Sequence, residues 1–376
     1  MLKRTPLFAA HQKLGARLVE FGGWEMPVQY TSIVDEHHAV RKAAGIFDIC
    51  HMGEVRITGT EAAAFLNHLL TNDIRKLTPG FGQYTLMCNE RGGVVDDLYA
   101  YCLGQNEFLL IINASRIEPD TAWMRAQLAA FPGRANVTLV DESERSGAVA
   151  IQGPTTVQFI ESCVPGKGLL HGKSASALIK NEVDIFPFGN STVLVARTGY
   201  TGEDGFEVVA DAGLIETIWN LCLEKGAPHG LKPTGLGARD TLRTEACYPL
   251  YGHELDEQTT PIEAGVGFFV GLDKPAFNGR ETLAAQKAAG PTKRCIAFRM
   301  TDKSAPPRPQ YAIYANGAAV GQVVSGTQSP TLNAGIGLGY VPANLAKPGT
   351  AIEIEIRGKR YPAEVIQKPF YKRPAA

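Results

Sequence analysis

The chain has 376 residues, 44% of them hydrophobic, and a formal net charge of −1. That length exceeds one ordinary core and suits two or three domains, and the apolar content argues against disorder. The balanced charge provides no general polyanion surface, so nucleic acid is not an expected partner. Seven cysteines (Cys50, Cys88, Cys102, Cys163, Cys222, Cys247 and Cys295) are scattered without a CxxC pair. This predicts reduced thiols, with neither a disulfide frame nor a zinc site. The start, MLKRTPLFAAHQKLG, lacks a secretory apolar core, and no apolar run is long enough to span a membrane. A soluble cytoplasmic protein is expected. The eight histidines fall at no metal-ligand spacing, and there is neither a Walker loop nor a GxGxxG after a strand. Neither a metal nor a bound nucleotide is expected.

Residues 54–58 (EVRIT) alternate as a strand, and Thr60 is the expected N-cap of the helix AAAFLNHLL. VVDDLYAYCL and NEFLLIINA then form a hairpin through Gly104-Gln105. Ser115 begins a second helix with Pro119 in its first turn. A second round follows: strands NVTLVDE and GAVAIQG, then a helix opened by Pro154 and running through Phe159. The strands STVLVA and FEVVA flank a loop, and two more helices follow, GLIETIWNLCLEKG and PTGLGARDTLRTEACY. Strand pairs with covering helices predict α+β sheets, not a doubly wound parallel sheet. Residues 1–270 form this region, 271–292 a linker with one short helix, and 293–376 a small β barrel or sandwich of short strands broken by Gly, Pro and Asn.

The loop Arg197–Glu207, RTGYTGEDGFE, places three glycines, a tyrosine and three carboxylates between two strands. Glycine allows positive φ and close backbone approach, so the loop reads either as a shaped binding element or as a decorated hairpin. In GGVVDDLYAY, Asp96 and Asp97 face opposite sides of a strand, so one can enter a site; the alternative is a bulge or turn at a strand end. Arg239 and Arg243 share a helix face, read either as a solvated face with ion pairs or as an arginine aimed at an oxyanion or carbonyl. Glu245 follows on the same helix, and the three are too polar for all to enter a core. Cys50 and His51 are neighbours in FDICHMGEV, where adjacent side chains diverge; structural roles are expected.

Together these segments resemble the aminomethyltransferase, or T-protein, family of the glycine cleavage system. The matching pieces include FGGWEMPVQY, GIFDICHMGEV, GGVVDDL, IQGP, RTGYTGEDGFEV, GLGARDTLRTEA, SGTQSPTL and IGLGYV, in family order over essentially the whole chain. The resemblance implies three domains in a cloverleaf around a central channel. Two of them are ferredoxin-like α+β domains forming a folate site, and the third is a C-terminal β barrel. It also implies transfer of a one-carbon unit from the aminomethyl-lipoyl arm of H-protein to tetrahydrofolate. Ammonia, methylene-tetrahydrofolate and the dihydrolipoyl arm are the products.

Carried over by motif, Asp97 is the implied catalytic carboxylate. Glu207 is the acceptor for the pterin N–H groups, and Arg239 faces the pterin carbonyl. Tyr84, Asn113, Tyr200 and Tyr248 are implied pocket residues, and Tyr371, Lys372 and Arg373 could meet the folate glutamate tail. Glu203 and Asp204 are expected only to shape the loop. Cys50 stands where the family commonly has serine and could add an oxidation-sensitive thiol. The rival readings are a stand-alone tetrahydrofolate-dependent demethylase of a small methylated amine or sulfonium, and a non-catalytic folate-binding iron–sulfur assembly factor. The latter lacks support, because TEACYPLYGHELDE departs from the KGCYxGQE-type signature of that group.

Overall fold

The computed structural model describes residues 2–373. The chain folds as two compact units. One holds residues up to Thr85 together with Leu98–Arg239, the other Leu86–Asp97 together with residues from Asp240 onward. The strands through the α+β region are β1 (Arg17–Phe21), β2 (Trp24–Gln29), β3 (Ala44–Asp48), β4 (Gly53–Thr58), β5 (Phe81–Cys88), β6 (Val94–Gly104) and β7 (Glu107–Ile112). They continue with β8 (Thr138–Asp141), β9 (Ser146–Gln152), β10 (Val183–Phe188), β11 (Ser191–Ala196), β12 (Gly205–Asp211) and β13 (Leu231–Pro233). β1 and β2 make a hairpin. The other eleven form a five-stranded sheet, β5-β6-β7-β4-β8, and a six-stranded sheet, β10-β11-β12-β9-β3-β13. The six-stranded sheet is antiparallel except where β13 runs parallel to β3. That is the α+β arrangement which strand pairs with covering helices imply.

The six-stranded sheet carries the main apolar core of the first unit. Phe186, Phe206, Val208 and Ile151 face Ile218, Trp219 and Cys222 of the helix Ile215–Gly226, all buried. The other face of this sheet meets the five-stranded one in a second cluster. There Tyr101, Leu103 and Leu109 pack on Val183, Leu194 and Ala196. The period-two alternation of these strands sends one row of side chains to each core.

In the second unit, β14 (Lys293–Met300), β15 (Ala312–Ala315), β16 (Ala318–Ser329), β17 (Ala334–Pro342), β18 (Ala351–Ile356) and β19 (Lys359–Ile366) form a closed barrel in the order β14-β17-β16-β15-β18-β19. Closure removes the sheet edges. GIGLGYV forms a single strand, as its sequence suggests, and its glycines have a packing reason. They lie inside β17, where a Cβ on Gly337 would come within 2.4 Å of the Phe298 ring and one on Gly339 within 2.6 Å of Ile313. Both of those side chains belong to the barrel core.

Several local expectations are corrected. The helix after β4 is Ala62–Leu69 with Glu61 at its N-cap, so Thr60 does not cap it. The β6–β7 turn is Gln105-Asn106 rather than Gly104-Gln105. The second helix begins at Ile117, after a 3-10 turn over Ala114–Arg116. Pro154 opens no continuous helix: a 3-10 turn, Thr156–Gln158, precedes the short helix Ile160–Cys163.

The largest correction concerns the helix Leu236–Glu245. Arg243 and Glu245 are buried, not solvated. Arg243 donates to Asp240, to Glu254 at 3.0 Å and to Ser325 at 2.9 Å. Glu245 accepts from Ser329 and from both the N–H and the hydroxyl of Thr331. Buried charges persist when every donor and acceptor has a partner.

Glu54 on β4 is the opposite case. It is fully buried, and neither carboxylate oxygen has a hydrogen-bond partner among the described residues. Burial, then the charges of Asp141 and Glu142, raise its carboxyl well above the ordinary range, which favours its protonated form. A raised folded-state pKa means no penalty below the unfolded value. Stability then falls as pH climbs from there toward the folded value. Glu54→Gln should therefore raise the melting temperature relative to the parent by about 2 °C or more at pH 8, with the gain vanishing at pH 4. Thermal melts across that range test this, and a pH-independent difference would contradict it.

Candidate functional site

The seam between the two sheets of the first unit ends in a narrow crevice. Tyr101, Ile111, Ala196 and Val209 line its apolar walls, and Glu207 and Arg239 supply its charges. The loop Arg197–Glu207 connects β11 to β12 beside it. Its shape follows from one buried side chain. Gln152, at the end of β9, donates from Nε2 to the Thr198 carbonyl at 3.0 Å, and its Oε1 accepts from the Thr201 hydroxyl at 3.0 Å. A Cβ on Gly199 would fall 1.8 Å from Gln152 Oε1, and one on Gly205 would fall 2.4 Å from the Ile151 carbonyl. Gly202 takes φ +81°. Each glycine therefore has a steric or conformational reason.

Glu203 and Asp204 are loop-shaping residues, as the sequence suggests. Glu203 accepts from Arg41 at 2.9 Å with both side chains buried, and Asp204 makes a two-point pair with Arg197 at 2.6 and 3.0 Å. Glu207 is engaged differently. Its Oε2 accepts from the Thr198 hydroxyl at 2.6 Å, and Thr198 Oγ1 lies 2.8 Å from the Tyr101 phenol oxygen. Burial, then the Glu207 charge, push the Tyr101 phenol well above its ordinary range, so it stays protonated.

Arg239 projects from the first turns of the helix Leu236–Glu245. That start is fixed by buried Glu36, which accepts from the N–H groups of Gly235 (2.9 Å), Tyr30 (2.6 Å) and Thr31 (2.8 Å). A Cβ on Gly235 would strike the Val28 backbone at 2.4 Å. The Arg239 guanidinium lies 4.8 Å from the centroid of the Tyr200 ring. Burial lowers its pKa, partly offset by Tyr200 and Glu207, and an arginine remains charged nonetheless. Glu207, Arg239 and Tyr200 thus come together: an acceptor, a fork of donors and a flat ring. Such a set can read the edge of a planar heterocycle that carries both N–H donors and a carbonyl acceptor.

Asp97 lies on β6 and is half-buried, whereas its neighbour Asp96 is fully buried, as alternation on a strand requires. The pair is part of a regular strand, not a turn. Tyr84 lies on β5, where its carbonyl accepts from Asn72 at 3.0 Å. Asn113 directly follows β7, with its carbonyl accepting from Arg116 at 2.9 Å. Both are half-buried and belong to the first unit. Asp97, Tyr248, Tyr371 and Arg373 belong to the second. There the Tyr248 N–H donates to the Arg243 carbonyl and the Tyr371 N–H to the Glu245 carbonyl, each at 2.9 Å. Lys372 is exposed and Arg373 half-buried.

Cys50 and His51 have structural roles. The Cys50 thiol donates to the Ala148 carbonyl at 3.2 Å, while the His51 ring meets Phe21 edge-on. Burial, then Asp48, push the thiol well above its ordinary range. A buried, protonated thiol is inert, so the expected oxidation sensitivity of Cys50 finds no support. Burial also lowers His51 to about 4, keeping it neutral. Asp48 ties this segment to the N-terminal helix by accepting from Thr5 at 2.6 Å and His11 at 2.8 Å. Sequence reasoning missed Thr198, Tyr101 and Gln152. Thr198 and Gln152 fall in the RTGY and IQGP motifs, which carry no role by themselves, and Tyr101 falls in neither.

The model of the GCVT N-terminal domain matches residues 7–274, and that of the glycine cleavage T-protein C-terminal barrel domain matches residues 293–372. The chain belongs to the glycine cleavage T-protein family. It is 46% identical to the aminomethyltransferase of Bacillus pumilus over 374 residues, covering 99% of this chain and 100% of that one. It is 44% identical to the Bacillus subtilis aminomethyltransferase, with the same coverage. The crystal structure of the glycine cleavage system aminomethyltransferase T from Bartonella henselae superposes with a TM-score of 0.90 at 29% identity, covering 99% of both chains.

Because Gln152 satisfies both a loop carbonyl and a loop hydroxyl, Gln152→Ala strips the Thr198 carbonyl of its donor and the Thr201 hydroxyl of its acceptor, leaving the latter only the Glu203 N–H. It should cost about 1–3 kcal/mol in urea denaturation and open the 199–204 loop to proteolysis. Unchanged stability and an intact loop would contradict the role assigned to Gln152.

Proposed function

We propose that this chain transfers the one-carbon unit from the aminomethyl-lipoyl arm of H-protein to tetrahydrofolate. The reaction releases ammonia and yields 5,10-methylene-tetrahydrofolate and dihydrolipoyl H-protein. The observation that carries this reading is that Glu207 and Arg239 line one crevice, with Arg239 against the Tyr200 ring, within a chain whose relatives at 44–46% identity are named aminomethyltransferases. The pterin edge presents an amino group and a ring N–H, which match a carboxylate, and a carbonyl, which matches a guanidinium. The family identity favours this reading over demethylation of a small amine or sulfonium.

In the proposed reaction the C–S and C–N bonds of the aminomethyl thioether break, and two C–N bonds to the folate form. Positive charge develops on the carbon as ammonia leaves. Asp97 is proposed to stabilise that charge and to orient the attacking folate nitrogen. Glu207 and Arg239 would hold the pterin edge, with Tyr200, Tyr84, Asn113 and Tyr248 against its faces and surroundings. Tyr371 and Arg373 would meet the glutamate tail.

We also propose the division into residues 1–270, a linker over 271–292 containing the helix Arg280–Ala289, and a barrel domain over 293–376, whose last three residues lie outside the described ones. The ranges matched by the two family models support it. A cytoplasmic setting is proposed from the seven free cysteines, six of them buried, which suit a reducing compartment. No helix among the described residues is long and apolar enough to cross a membrane.

The deciding assay supplies aminomethyl-loaded H-protein and tetrahydrofolate and measures methylene-tetrahydrofolate, with methylated amines and sulfonium donors as controls. Turnover only with the small donors would replace this reading by the demethylase one. Asp97→Asn should lower kcat about 100-fold or more while shifting tetrahydrofolate affinity far less. Glu207→Ala should instead weaken tetrahydrofolate binding about tenfold or more, because it strands the pterin donors. A reversed pattern in the two variants would refute the division of roles.

A further inference from the structure

Resting on the folate reading, we infer that Thr198 and Tyr101 are positioning residues that aim Glu207 through a hydrogen-bond relay of fixed direction, Tyr101 to Thr198 to Glu207. The direction follows from counting hydrogens. The Thr198 hydroxyl has one hydrogen, and it goes to Glu207 Oε2 at 2.6 Å. The 2.8 Å contact between Tyr101 and Thr198 must then have the phenol as donor. Both donors are buried, with Tyr101 1% and Thr198 9% exposed. The relay is anchored at each end by the fold. Tyr101 sits in β6 within the inter-sheet cluster, and the Thr198 carbonyl is held by Gln152 at 3.0 Å.

Two consequences separate this role from mere packing. A carboxylate fed only by O–H donors must be an acceptor throughout, so its remaining lone pairs can meet only donors on a ligand. With Oε2 held, the carboxylate also loses rotational freedom before binding, which reduces the ordering cost on association. A ligand acceptor placed opposite Glu207 would face another acceptor. The relay therefore sets which edge of a heterocycle enters, and in which orientation.

The test measures tetrahydrofolate binding by calorimetry and steady-state kinetics with H-protein, for the parent, Thr198→Val, Thr198→Ser and Tyr101→Phe. Thr198→Val keeps the shape and removes the donor. It should raise the Kd and KM for tetrahydrofolate about tenfold with kcat changed less than about twofold, and Thr198→Ser should restore most of the loss. Tyr101→Phe, one bond further away, should give a smaller loss of about threefold. A 2-desamino-2-methyl analogue of tetrahydrofolate lacks a donor for Glu207, so its affinity should be affected less by Thr198→Val than that of tetrahydrofolate. Equal losses for both ligands, or a valine variant that binds tetrahydrofolate like the parent, would overturn the relay while leaving the folate site standing. A parent protein that does not bind tetrahydrofolate would overturn both.

Discussion

The loop beside the crevice keeps its shape because one carboxamide has been placed beneath it. Gln152 offers a donor and an acceptor about a side chain's width apart, and the loop closes on both. Glycines at 199 and 205 let the backbone come that near, and Gly202 completes the turn with a positive φ. The two ion pairs to Arg41 and Arg197 then occupy the other two carboxylates of the loop region. Glu207 is left as the carboxylate that lines the crevice. Without the carboxamide, the Thr198 carbonyl and the Thr201 hydroxyl would each need another partner in a buried place, and Thr198 would lose the anchor from which it reaches Glu207.

The helix Leu236–Glu245 shows the same division in its two arginines. Arg243 is enclosed: Asp240, Glu254, Ser325 and the Tyr248 carbonyl take up its donors. Arg239, one turn earlier, faces an aromatic ring and a crevice, with no ion pair among the described residues. The former holds the polypeptide together and the latter has N–H groups available to a ligand. Sharing a helix face does not imply sharing a role; what differs is the set of acceptors each guanidinium meets.

The strand pattern, the helix Ile215–Gly226 and the barrel tail were legible because period-two and period-3.6 alternation is a local signal. Glu207 was legible only through the family resemblance, because the loop sequence alone leaves its three carboxylates equivalent. Thr198 and Tyr101 were not legible. They lie 97 positions apart in sequence, and their contact exists only once one sheet lies against another. The burial of Arg243 and Glu245 was not legible. Their acceptors and donors come from residues as distant as Ser325 and Thr331, which no local window contains. Thr60 does not cap its helix because the N-cap is Glu61, which makes no side-chain capping hydrogen bond.

The acceptor and donor fork formed by Glu207 and Arg239 carries a consequence for ligand discrimination. The pyrimidine edge that this pair would grip has the same amino, ring N–H and carbonyl groups in oxidised folate as in tetrahydrofolate. Recognition at this end is therefore blind to the oxidation state of the pyrazine ring. Oxidised folate would fit the same grip and yet lack the N5–H amine that a methylene bridge from N5 to N10 requires, making it an occupant without chemistry. Selectivity for the reduced form has to arise at the opposite side of the heterocycle, where ring pucker and the reacting nitrogens differ. On the proposed folate reading, affinity and reactivity would thus be read by different parts of the protein.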